Sequence, residues 1–284
     1  MASSDDIPMP SPTVPVQPLT SFKLLSFDIY GTLIDWEGGM LQNLAPLLDS
    51  APPDNPYREA RTSSSAKAAL AAKFHQHESQ LNQAHPGKLY PEILTETYLI
   101  LAKEYFTLDT SSPQIQLDAA TFGKSVGTWQ AFPDTIGAMT RLSEYYKLVP
   151  LSNVDRASFT NTLTGPLADI PFWKSYVASE IGSYKPDLRN FHYLLEHLNA
   201  DSKAEGGERL EKEEVLHVAQ SLFHDHVPAK RMGMSSVWIA RKGAGYGVDE
   251  YVALHERGEV GYGWRFGSLE EFADEVERDW TTGL

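Results

Sequence analysis

Apolar positions along this chain change rhythm twice, and the two changes divide it. Near the start, Phe22, Leu24, Leu25 and Phe27 form a short apolar, aromatic-rich run that ends in one acid, Asp28, followed closely by Gly31. A run of that length and character reads as a buried parallel strand that stops at a turn. From about Ser64 to Gln130 the pattern is helical, with no strong strand. Ala66 to Gln83 has Ala-rich spacing, and Tyr90 to Phe106 sets Ile93, Leu94, Thr97, Tyr98, Leu101, Ala102 and Tyr105 on one face. A shorter helical stretch, Met40 to Leu48, comes before the break Ala51-Pro-Pro-Asp-Asn-Pro56. Phe132-Pro133-Asp134 marks the return to a mixed pattern.

From there helices and strands alternate. A helix is predicted over Thr135 to Tyr146, then a strand over Leu148 to Leu151 that ends at Ser152-Asn153. A strand at Tyr176 to Ala178 leads to Gly182-Ser183-Tyr184-Lys185-Pro186 and a helix through about Leu198. The charged segment Asp201 to Glu214 reads as a solvated loop or frayed helix that only connects. Val215 to Val218 is the next strand, running into Gln220 to Asp225, and Ser236 to Ala240 is another. Ser268-Leu-Glu-Glu271 is a capping box that opens a C-terminal helix. Strands separated by helices predict an α/β fold with a doubly wound parallel sheet. The expected division is an α/β core over 21–39 and 131–284 and an inserted helical cap over 40–130. Residues 1–20, with Pro8, Pro10, Pro12, Pro15 and Pro18 among polar residues, read as a disordered or extended tail.

Composition narrows the function. The 284 residues suffice for one large domain or a core plus a smaller one. A net charge of −14 argues against nucleic acid or an anionic membrane as partner, because phosphates reward clustered Lys and Arg. There is no cysteine, which excludes disulfides, thiolate–zinc sites and cysteine catalysis. No run has the length needed to span a bilayer. The N-terminal stretch lacks the basic start and apolar region of a secretory signal, so a cytoplasmic protein is expected.

Open α/β sheets place their chemistry at the carboxyl ends of the strands. Asp28 is therefore either a held nucleophile or a cap on its turn. Ser152 and Asn153 offer donors, Lys185 a positive charge, and Asp225 a second carboxylate after a buried strand. Tyr30 either packs under the cap or lines the pocket. His224 and His226 flank Asp225 but should diverge, so neither is read as a metal ligand. Trp36 and Trp129 lie near the two cap hinges.

Four motifs in order carry a resemblance: Asp28-Ile-Tyr-Gly-Thr-Leu33, Ser152-Asn153, Lys185-Pro186 and Gln220-Ser-Leu-Phe-His-Asp225. Over roughly Phe22 to Ala240 the chain resembles the haloacid dehalogenase superfamily, and the helical insertion looks like that family's cap domain. Phosphatases of the superfamily carry an acid/base Asp where this chain has Tyr30, and a Mg²⁺-binding Asp where it has Gln220. A tyrosine, with an ordinary pKa near 10, is ionised to about one part in a thousand at pH 7 and is a poor base. A neutral amide brings no charge to Mg²⁺. The Asp-x-Tyr-Gly-Thr motif is similar to the 2-haloacid dehalogenase branch, which works without metal.

That resemblance implies a hydrolase that needs no cofactor. Asp28 would attack a substrate carbon, displace halide and form an ester that water opens. Lys185 would hold Asp28 ionised, and Asp225 would position Lys185 or the water. Tyr30, Thr32, Ser152, Asn153 and Gln220 would line the substrate, with Gln220 filling a lost metal site. The expected substrate is a small organic acid, and a homodimer is compatible. The branch's cap arginine is missing, its place taken by Lys73, His75 and His77, and its tyrosine six residues after the lysine is Phe191. The same nucleophile would suit an epoxide or activated ester. A Mg²⁺-dependent phosphatase with an altered metal site and a catalytically silent binding protein are the alternatives.

Overall fold

Six short strands, β1 (Leu24–Phe27), β2 (Lys147–Ser152), β3 (Tyr176–Val177), β4 (Val215–Ala219), β5 (Ser235–Ile239) and β6 (Trp264–Phe266), form one sheet in the order β3-β2-β1-β4-β5-β6. All five pairings are parallel. The structure is a computed structural model, and it describes residues 7–85, 87–241 and 248–283. The protein has an α/β fold with helices on both faces of a parallel sheet.

Strand β1 shows why the sheet is buried on both sides. Leu25 and Phe27 join the large cluster on one face, while Leu24 packs on the other with Val149, Leu151 and Val215. Helix α9 (Arg189–Ala204) covers that second face through Phe191, Leu194 and Leu198. On the first face, α6 (Thr135–Leu142) and α12 (Leu269–Thr282) bring Met139, Leu142, Phe272 and Val276. Such apolar stripes on amphipathic helices supply most of their stability through packing.

Between β1 and α6 the chain leaves the sheet for the helices α1 (Trp36–Asn43), α2 (Ala45–Ser50), α3 (Ser64–Ala84), α4 (Tyr90–Glu104) and α5 (Pro113–Ser125). Exit and return are tied together: Asp35 N donates to Gln130 O at 2.8 Å, and Phe132 N donates to Leu33 O at 3.0 Å. The face of α4 read from the sequence is buried at Ile93, Leu94, Thr97, Tyr98, Leu101 and Ala102. The core is completed by α7 (Arg156–Thr164), α8 (Ala178–Ile181), α10 (Val227–Met232) and α11 (Val248–Glu256). Among the described residues, no helix is long and apolar enough to cross a membrane.

Three local differences from the sequence reading have simple causes. The tail expected to be disordered or extended over 1–20 lies outside the described residues at 1–6; from residue 7 it is irregular up to a 3₁₀ turn at Leu19–Ser21 and is anchored, because Ile7 and Leu19 are buried and Leu19 N donates to Asp279 Oδ2 at 3.1 Å. Two anchors suffice where the average composition is polar. Helix α9 runs on through Ala204, and the loop after it is pinned by Ser202 Oγ donating to Glu208 O and Leu210 N donating to Asn199 Oδ1. At α12, Ser268 Oγ accepts from Glu271 N as the capping box requires, but the Glu271 carboxylate reaches back to Gly267 N instead of Ser268 N.

Strands β1 and β4 are neighbours, yet the chain runs outward from them in opposite directions. The crevice outside their carboxyl ends is the switch point where doubly wound sheets bind ligands. Asp28 follows β1 there, and Gln220 to Asp225 follow β4.

Candidate active site

The turn after β1 is built to hold a carboxylate. Asp28 N donates to Val218 O on β4, and Thr32 N, Leu33 N and Ile34 N all donate to Ile29 O. Gly31 adopts φ +95°, a left-handed conformation that a side chain would strain. Closing the turn brings Thr32 Oγ1 to donate to Asp28 Oδ2 at 2.7 Å, while Thr32 Oγ1 itself accepts from Gln220 N at 2.9 Å.

Lys185 meets the other carboxylate oxygen. Its Nζ donates to Asp28 Oδ1 at 2.9 Å, to Asp225 Oδ1 at 2.6 Å and to Leu151 O at 2.9 Å, which uses all three N–H bonds. The ammonium is buried between the two carboxylates. Asp225 is aimed inward by a single π-helical turn, Leu222–His226, whose start is capped by Ser221 accepting from His224 N.

A residue the sequence reading took only as part of a strand completes the chain of contacts. His217 on β4 bonds Asp225 Oδ1 through Nε2 at 2.9 Å and Ser26 Oγ through Nδ1 at 2.8 Å. Ser26 and His217 stand opposite each other in the β1–β4 register, so the pair follows from strand alignment. A polar residue at alternate positions of two adjacent buried strands was the signal available in the sequence. Phe191 packs edge-on against His217, with ring centroids 5.2 Å apart.

The two carboxylates are pushed in opposite directions. Burial raises the Asp28 carboxyl above its ordinary range; Lys185 and Thr32 oppose this, and the nearby Asp225 charge adds to it. Lys185 favours the ionised form of Asp28 but does not fully offset its burial. Burial works against Asp225 too, but Lys185 and His217 outweigh it and hold that carboxyl below its ordinary range. For Lys185, the two carboxylates outweigh burial and raise the ammonium. One acid is thus a permanent counter-ion and the other the more basic oxygen, the separation of roles that unlike environments create.

These groups open on a cavity of about 260 Å³ between the strand ends and helices α1, α3 and α4. Tyr30, Ser152, Asn153 and Gln220 line it from the core side. Ser152 Oγ has no partner among the described residues. Asn153 is differently occupied: Lys185 N donates to its Oδ1 at 2.6 Å and its Nδ2 donates to Lys185 O at 3.0 Å, so it clamps the lysine backbone. Tyr30 both packs and lines the cavity. Its ring is edge-on to Trp129, its hydroxyl bonds Thr162 Oγ1 at 2.7 Å, and burial raises its pKa further. Gln220 Nε2 donates to Tyr251 Oη on α11 at 2.6 Å.

Of the α3 residues singled out in place of an arginine, His75 lines the cavity and Lys73 and His77 do not. Lys73 lies over the Tyr105 ring and His77 Nε2 bonds Tyr105 Oη, so both serve packing between α3 and α4. Arg58 and Arg61 bind Ala51 O and Asp49 beside the Pro-rich break. His75 is instead joined by Lys67, Glu78 and Tyr90 on the cavity's outer wall. Glu78 bonds His75 Nδ1 at 3.3 Å and accepts from Tyr90 Oη at 2.7 Å. His224 faces His75 with ring centroids 6.0 Å apart.

The donor set does not suit Mg²⁺. Among the described residues no three acidic, His or Cys side chains converge to hold a metal ion. The ammonium of Lys185 stands between the two carboxylates, and among the described residues Asp225 Oδ2 is the one carboxylate oxygen of the pair without a partner.

No family model and no curated protein matches this sequence. Solved structures share its fold. A dehalogenase captured as an intermediate complex has a TM-score of 0.65 at 18% identity, over 89% of this chain and 96% of that one. The L-2-haloacid dehalogenase of Xanthobacter autotrophicus with chloropropionic acid covalently bound gives 0.62 at 15%, over 90% and 98%. A Bacillus subtilis protein described as a HAD-hydrolase and bound to magnesium gives 0.63 at 17%, over 90% and 99%. The chain therefore has the haloacid dehalogenase fold.

Proposed function

We propose that this protein is a hydrolase in which Asp28 attacks a substrate carbon without a metal ion, in the manner of a 2-haloacid dehalogenase. The observation that carries the reading is the Lys185 ammonium bridging Asp28 and Asp225, in a site with Tyr30 and Gln220 where acid/base or metal-binding acids would otherwise stand.

In the first step an Asp28 carboxylate oxygen forms a C–O bond as the bond from that carbon to the leaving group breaks, and the leaving group departs with the electron pair. A carbon–halogen bond fits, because halide leaves without a proton and the Tyr30 hydroxyl is committed to Thr162. In the second step water adds to the Asp28 carbonyl carbon. Lys185 and Thr32 donate to the oxygens on which negative charge then develops. Collapse expels the product oxygen, which takes one proton of the water to become the alcohol, and release of the other proton to solvent restores the carboxylate. Asp225 Oδ2, buried and unpartnered, is placed to orient that water. The helices over 40–130 act as a cap that excludes bulk water during the first attack.

The test is a single turnover in ¹⁸O-water with a 2-chloro compound, followed by mass spectrometry of the peptide carrying Asp28. Label in that carboxylate supports the ester. Label appearing only in the product would mean direct attack by water, and no turnover of any halide would favour the silent binding protein.

A further inference from the structure

The cavity is rich in acceptors and poor in donors. Five carboxylates line it (Asp28, Asp35, Glu37, Glu78 and Asp225), against the ammonium groups of Lys67 and Lys185. Lys185 has spent its three N–H bonds on Asp28, Asp225 and Leu151 O. Gln220 Nε2 is bound to Tyr251, and Lys67 is bound to Glu37 Oε2 at 2.8 Å. Ser152 Oγ, without a partner among the described residues, and His75 remain to meet an anionic group, while a carboxylate that drew on Lys67 would leave Glu37 buried without its cation.

Glu37 supplies a second, independent observation. Its side chain is 9% exposed, and while Oε2 holds Lys67, Oε1 has no donor among the described residues. A buried acceptor that lines a ligand cavity and lacks a donor is the complement of a ligand N–H.

We propose that the substrate carries an N–H donor, as an amide or an ammonium group, that pairs with Glu37. This inference rests on Asp28 acting as the nucleophile, and it adds an N–H donor to the small molecule expected from the sequence. Glu37 is then the residue that sets specificity, through contact with a part of the substrate that does not react.

Three probes on one three-carbon skeleton test it: 2-chloropropionate, 2-chloropropionamide and 1-amino-2-chloropropane, which is cationic at neutral pH. Chloride release and the mass of the Asp28 adduct are read for each. The amide and the amine are expected to exceed the acid at least tenfold in kcat/KM, and the faster of the two identifies the charge of the preferred donor. Glu37→Gln should bring the ratio of amide to acid close to unity. If 2-chloropropionate labels Asp28 as fast as the amide, the inference falls and the nucleophile reading stands. If the ratio survives in Glu37→Gln, the role of Glu37 falls. If none of the probes labels Asp28, the nucleophile reading fails and this inference goes with it.

Discussion

Asn153 grips the backbone of Lys185 from both sides, its Oδ1 accepting from Lys185 N at 2.6 Å and its Nδ2 donating to Lys185 O at 3.0 Å. The strand β2 end and the loop before α9 are far apart in sequence, and this pair fixes how far the lysine reaches toward Asp28. Asn153→Asp keeps the acceptor and loses the donor. A misplacement near 1 Å can cost roughly 10²-fold in rate, so kcat for Asp28 alkylation should fall by up to that factor with KM little changed. A rise in KM at constant kcat would mean instead that Asn153 touches substrate.

Removing the ammonium should unsettle both carboxylates together. Lys185→Met leaves Asp28 and Asp225 buried, close and uncompensated. Breaking a buried ion pair from one side costs about 3–5 kcal/mol, so urea unfolding at neutral pH should show a loss of that order. Without the lysine both acids bind protons more tightly folded than unfolded, and such a variant regains stability as pH falls. A deficit that does not shrink on acidification would rule out charge as its cause.

Wild-type stability should decline on the acid side of neutrality. Burial drives His224 and His226 down to about 4 from an ordinary 6.5. Between those values the unfolded chain binds more protons, so the stability present above about pH 6.5 is lost as pH falls toward 4. At about 1.4 kcal/mol per unit, the two histidines together are worth on the order of a few kcal/mol. His75 opposes this: burial lowers it, the bond to Glu78 outweighs burial, and its raised pKa contributes stability below 6.5 that is lost on going up. Asp225, held low, adds stability above its ordinary range that is lost only in stronger acid. Unfolding free energies at pH 7 and pH 5 check this, and His224→Asn with His226→Asn should flatten the slope. An unchanged slope in the double variant would assign the acid sensitivity elsewhere.

How much of this was legible in the sequence follows from what is local. The Asp28 strand and turn, the buried face of α4 and the polar positions Ser152, Lys185 and Asp225 that follow strands all rest on short-range patterns, and Asp28, Lys185 and Asp225 meet outside the carboxyl ends of the strands. What was missed depends on register or on packing between helices. His217 reads as one polar residue in a strand until Ser26 is set opposite it. Which residues of α3 face the cavity is decided by rotation about its axis: Lys67, His75 and Glu78 point inward, and Lys73 and His77 lie against Tyr105. Asn153 was legible as a polar strand end but not as a clamp, because its partner is the backbone of a residue 32 positions away.

Gln220→Asp separates carbon chemistry from phosphoryl transfer. If this were a phosphatase with an eroded metal site, restoring an acid at 220 should raise Mg²⁺-dependent hydrolysis of 4-nitrophenyl phosphate. The geometry predicts the opposite. Gln220 spans to Tyr251 Oη at 2.6 Å, and the shorter Asp side chain would give up that bond. A new carboxylate would join an acidic cavity in which Asp28 and Asp225 already share one ammonium. Tyr30, bonded to Thr162 and raised by burial, still offers no acid or base. The variant should therefore show no Mg²⁺-dependent phosphatase activity above background, and alkylation of Asp28 should slow, because losing the Tyr251 bond loosens residue 220, whose backbone N–H steadies Thr32 beneath Asp28. Losing a neutral hydrogen bond such as that to Tyr251 should cost about 0.5–1.5 kcal/mol. Phosphate release that rises with added Mg²⁺ would mean that a metal can displace Lys185 from between the carboxylates, and the carbon-attack reading would have to yield.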